Sequence, residues 1–123
     1  MLPFASLAFD FRGNGLSSGQ TSYGSYLDEA QDIKSIVDYV NSGRIDGYQC
    51  FVLNVMGGGD TVVPEEDVWE YDRIMRLSAP DTTRVTTSVV PGASHFWSAT
   101  HELGALQVVV NSWLNSVLPL AKL

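Results

Sequence analysis

"YQCFVLNVMGGGDTVVPEEDVWEYDRIMRL" (residues 48–77) holds the alternation on which the fold turns. Residues 48–56 are almost continuously apolar, the pattern of a strand covered on both faces. Three glycines, Gly57 to Gly59, stop that run. Pro64 then opens a helical pattern, because proline is tolerated in a first helical turn. Glu65, Glu66 and Asp67 follow it, at the end of the helix where the dipole favours anions. Val68, Tyr71, Ile74, Met75 and Leu77 supply the expected buried face.

The same alternation continues outward. Downstream, "VTTSVV" (85–90) is β-branched and predicts a strand, ended by Pro91 and Gly92. A last helix is expected from about Ser98 or Thr100, with Leu103, Leu106, Val110, Trp113, Leu114 and Val117 facing inward. Upstream, "SYLDEAQDIKSIVDYV" (25–40) places Leu27, Ala30, Ile33, Ile36, Val37 and Val40 on one helical stripe. Ser25 suits its N-cap, and Gly43 its C-terminal cap. Before it, "ASLAFDF" (5–11) reads as a buried strand ending at Arg12, Gly13, Asn14 and Gly15, followed by a polar loop to about Gly24. The resulting string, β-α-β-α-β-α, predicts an α/β fold: one domain, residues 1–123, with a parallel sheet flanked by helices.

Composition narrows the function classes. Apolar residues make up 45% of the 123 and charged residues 17%, enough for a packed core. The net charge of −7, with no Lys/Arg cluster, argues against nucleic acid and against an acidic membrane surface. One cysteine, Cys50, makes no internal disulfide, and no Cys/His spacing fits a metal site. Inside an apolar strand its thiol is expected to be inert. "MLPFASLAF" lacks a basic n-region and does not read as a signal peptide, and no apolar run approaches the ~20 residues of a membrane span. A soluble, cytoplasmic protein without metal or organic cofactor is the expectation.

Ligands of parallel sheets bind beyond the carboxyl ends of the strands. Three loops leave those ends here, "RGNGLSSGQTSYG", "GGGDTVVP" and "PGASHFW", and they carry Ser17, Asp60 and His95. An Asp on a strand tip can accept from histidine Nδ1–H and so fix the imidazole tautomer. It can equally cap the following helix. His95 can be a base or a surface residue, and His101, at a helix start, reads as a solvated helix residue. "GNGLSSG" is a poor phosphate loop, since Ser18 stands where the last glycine belongs, and "GGGDT" lacks the lysine of a P-loop.

Taken together the three loops resemble those of α/β-hydrolases of the esterase, lipase and serine-aminopeptidase kind. "FDFRGNGLSSG" looks like their D-x-R-G-x-G-x-S segment. "VLNVMGGGDTVVP" resembles their late strand and acid loop, and "VVPGASHFW" with the helix ending in "SWL" resembles their histidine loop and final helix. The resemblance implies a partial α/β-hydrolase fold, with Asp60 as triad acid and His95 as triad base.

"GLSSG" (15–19) is also a literal G-x-S-x-G, the pattern of a nucleophile elbow. An elbow is a tight strand-to-helix turn, whereas Ser17 stands past its strand's expected end and well before the next helix. In the family this segment shapes the site floor. The elbow belongs after the helix matching 25–42, where this chain passes through "NSGRIDG" directly to the acid-bearing strand. The resemblance thus implies that the elbow strand and its helix have no counterpart here. It also leaves "YQCFVLNVM" an unpaired apolar edge, suited to self-association. Three readings follow: an α/β-hydrolase-type chain that is catalytically incomplete, an active minimal hydrolase of ester or acyl substrates using Ser17, Asp60 and His95, or a non-catalytic interaction module.

Overall fold

The structure is a computed structural model and describes residues 7–20, 26–44, 50–78 and 84–119. Its elements are α1 (Tyr26–Tyr39), a π turn (Val40–Arg44), β1 (Val52–Gly57), α2 (Glu65–Ser78), β2 (Val85–Val90) and α3 (Thr100–Val117). β1 and β2 pair in parallel, from Val52 opposite Val85 to Gly57 opposite Val90. Parallel neighbours need a crossover, and α2 provides it, so the centre of the molecule is a β-α-β unit. The fold is α/β, as the alternation implies.

The sheet among the described residues has two strands rather than three. Residues 7–11, in the expected first strand, form none, and Leu7 and Phe9 are exposed. An apolar run becomes a strand only where a neighbouring edge takes its backbone hydrogen bonds, and among the described residues β1 and β2 pair with each other alone. Residues 5 and 6 of that expected strand lie outside the described residues, as do Ser25 and the start of "YQCFVLNVM". Cys50 precedes β1 instead of lying within it. Gly43, expected as a C-terminal cap, falls inside the π turn.

The core forms where the helices cover the start of the sheet. Ala30 of α1, Met75 of α2 and Val85 of β2 are buried together, with Ile33, Val52, Tyr71 and Ile74 packed around them. Leu77, expected inside, is 74% exposed. It lies two residues past Met75, about 200° round the helix at ~100° per residue. The Tyr71 hydroxyl donates to Glu29 at 2.5 Å and ties α2 to α1.

A polar thread crosses the sheet. Asn54 Nδ2 donates to Thr87 Oγ1 at 3.2 Å, between residues directly opposite in the register. Thr87 Oγ1 donates onward to Asp72 of α2 at 2.7 Å. Arg76 pairs with Asp72 at 2.8 Å and donates to the Val85 carbonyl at 2.9 Å. Burial opposes ionisation of Asp72, but Arg76 and Thr87 outweigh it and hold its carboxyl below the ordinary range.

α3 packs against β2 with Val117 buried and Leu106, Val110, Trp113 and Leu114 half-buried. Leu103 departs from the expected face: it is 52% exposed, and its neighbour Glu102 is buried instead. No helix among the described residues is long and apolar enough to cross a membrane.

Candidate active site

Two loops leave the carboxyl ends of β1 and β2 and run in backbone contact. The Gly58 N–H donates to the Val90 carbonyl at 2.7 Å, and the Gly59 N–H to the Ala93 carbonyl at 2.9 Å. Such closeness excludes side chains. A Cβ on Gly57 would stand 2.3 Å from the Ala93 oxygen. The glycine run therefore lets the acid loop lie against the histidine loop and brings Asp60 to it.

Asp60 is clamped on every side. Its Oδ1 accepts the N–H groups of Val62 at 2.8 Å and Val63 at 2.9 Å. Its Oδ2 lies 2.9 Å from His95 Nδ1. Asp60 thus meets the histidine and caps a turn before α2, not the helix itself, which begins at Glu65. Only 8% of the side chain is exposed, and that burial opposes ionisation. The Val63 N–H, His95 and the Val62 N–H together outweigh it and hold the carboxyl below its ordinary value, so Asp60 is a carboxylate at neutral pH.

A carboxylate only accepts, so the contact requires the proton on His95 Nδ1 and leaves a lone pair on Nε2 in the neutral ring. Such a nitrogen can take a proton from a hydroxyl or water, and the imidazolium formed would sit against Asp60. His95 is partly exposed, and the rings of His95 and Phe96 meet edge to face at 5.0 Å. Beside the pair is a cavity of about 230 Å³ whose walls include Val55, Met56, Val63, Val68 and Trp97.

The residue that sequence reasoning missed is Glu102. It accepts the Ser94 N–H on Oε1 at 2.7 Å and the Ala99 N–H on Oε2 at 2.9 Å. Hydrogen bonds from Ala99 and then Ser94 hold its carboxyl below the ordinary range. Ala99 is the N-cap residue of α3 and has no side-chain oxygen, so only the Glu102 half of a capping box exists. A Glu three residues after the cap position was the available signal. Between the two anchored N–H groups, Trp97 takes φ +49°, a left-handed conformation costly for a bulky residue.

Ser17 is held elsewhere. Its hydroxyl donates to the Asp10 carbonyl at 2.6 Å, and its N–H to the Asn14 carbonyl at 2.9 Å. The loop around it is fastened to α1 by Arg12, which donates from its backbone and its guanidinium to Asp32 and also reaches Asp28 at 3.1 Å. The structure brings Asp60 and His95 together and gives Ser17 no hydrogen bond to either. His101 is exposed in the first turn of α3. Cys50 is half-buried, and burial pushes its thiol up. Among the described residues no group of His, Cys, Asp and Glu could hold a metal ion.

No family model, no curated protein and no solved structure matches the chain.

Proposed function

We propose that this chain is an α/β-hydrolase-type protein that carries the acid and base of a Ser-His-Asp site, Asp60 and His95, without an aligned nucleophile, and is catalytically incomplete by itself. One observation carries the reading: His95 Nδ1 rests 2.9 Å from a carboxylate whose other oxygen is fixed by two backbone N–H groups. That arrangement orients an imidazole for proton transfer and stabilises its charged form. A cap alone would need only the Val62 and Val63 contacts. The open pocket beside the pair offers Val55, Met56, Val63 and Val68 as apolar contacts for the acyl part of a small ester. Ser17, engaged with Asp10, would have to leave its loop geometry to reach the imidazole.

A fluorophosphonate probe tests this, because it marks only an activated serine. The expected result is no labelling of the wild type. Labelling that disappears in Ser17→Ala and falls in His95→Ala would overturn the proposal in favour of an active minimal hydrolase.

A further inference from the structure

Inside the loop 94–99 that carries His95, the Trp97 N–H reaches the Ser94 carbonyl only at 3.4 Å, a long bond. Phe96 is 80% exposed, so burial stabilises it weakly. Trp97 adds backbone strain at φ +49°. A loop with exposed side chains and a strained residue tends to open locally. Yet His95 has to keep one ring nitrogen on Asp60, and a shift of about 1 Å breaks a hydrogen bond.

Glu102 answers this. Its two oxygens grip the loop at both ends, at the Ser94 N–H and the Ala99 N–H. A helix cap needs only the Ala99 contact. The Ser94 contact reaches back to the residue immediately before His95 and does nothing for the helix. Both bonds run from N–H groups to the one ionised carboxylate of Glu102, a buried residue, and charge-assisted bonds of this kind are stronger than neutral ones. We infer that Glu102 is a positioning residue: it closes the loop 94–99 with both carboxylate oxygens and so keeps His95 Nδ1 on Asp60. This rests on the reading of Asp60 and His95 as an acid and base pair. Glu102 itself makes no hydrogen bond to the ring or the carboxylate of that pair.

Nitrogen NMR of the ¹⁵N-labelled imidazoles tests it on the full chain, with His95 distinguished from His101 by the spectrum of His101→Gln. At a pH alkaline enough for the ring to be neutral, the wild type is expected to show an Nδ1–H resonance shielded from water and an unprotonated Nε2. In Asp60→Asn one oxygen can still cap the turn, so the amide nitrogen faces His95. That amide donates, and the proton moves to Nε2. In Glu102→Ala the Nδ1–H resonance is lost to exchange and the two tautomers mix, while the amide resonances of β1 and β2 stay in place. Glu102→Gln is the gentler variant. It keeps one acceptor oxygen but turns an NH₂ toward the other N–H, and the same loss is expected.

Wild-type imidazole spectra in both Glu102 variants, with Asp60→Asn still inverting the tautomer, overturn the role of Glu102 and leave the pair standing. An Asp60→Asn spectrum identical to wild type overturns the pair itself. Collapse of the β1 and β2 resonances in both Glu102 variants also overturns the inference, because it makes the residue a general support of the fold.

Discussion

Replacing Gly57 by alanine tests how the two strand tips hold the site together. The added Cβ would meet the Ala93 oxygen at 2.3 Å, the Ala93 carbonyl carbon at 2.8 Å and the Ser94 oxygen at 3.0 Å. All three are backbone atoms, so no flexible side chain can swing aside. Overpacking of this kind costs about 1–3 kcal/mol. Relief requires the loops to part, which weakens the bonds of Gly58 to Val90 and Gly59 to Ala93, each worth about 1 kcal/mol. A loss of about 2–4 kcal/mol follows, or a fall of roughly 8–16 °C in thermal midpoint for a chain of this length. Circular dichroism melts and urea titration read it. Gly104→Ala is the matched control: nothing lies within 4 Å of its Cβ, and it stands inside α3. There alanine should stabilise by about 0.5–1 kcal/mol through helix propensity. A Gly57→Ala chain within about 0.5 kcal/mol of wild type would refute the close approach of the two loops, and with it the account of how Asp60 reaches His95.

Two further outcomes follow from the packing and the charges. The carboxyls of Asp32, Asp60, Glu70, Asp72 and Glu102 are all held below their ordinary values in the folded chain. A lowered folded value gives stability that is fully present above the unfolded value, near pH 4, and is lost as the pH falls through the folded one. Urea midpoints should drop as the pH falls below about 4, and midpoints that hold or rise between about pH 4 and pH 2 would contradict the ionised state of these groups. Met75 is buried at the centre of the core, so Met75→Ala should cost about 2–5 kcal/mol in urea titration, whereas Leu77→Ala, on the exposed side of α2, should change stability by less than about 1 kcal/mol.

Local chemistry was legible in the sequence wherever one segment determines its own structure. β2 runs from Val85 to Val90 as its β-branched residues predict, and α2 begins directly after Pro64. What depends on a distant partner was not legible. "ASLAFDF" has a strand's composition, but composition reports a preference for apolar cover and says nothing of which edge will supply hydrogen bonds. The face of α3 was misjudged for a related reason. Periodicity counts apolar residues, so it turned Leu103 inward, whereas two N–H groups of the preceding loop draw the charged Glu102 into a buried place. At the site, the order and spacing of Asp60 and His95 were visible. The engagement of Ser17 with the Asp10 carbonyl was not, since it depends on how the loop closes on itself.

The polar thread through Asn54, Thr87 and Asp72 bears on more than the sheet. Asn54 and Thr87 stand opposite one another, so their bond fixes which rung of one strand faces which rung of the other. The acid and the imidazole hang from the ends of those same strands. Sliding the ladder by one rung would carry one loop past the other by about 3.3 Å, more than the whole 2.9 Å span between His95 and Asp60. An amide and a hydroxyl in mid-sheet therefore act as the gauge block against which the distance at the far end is set.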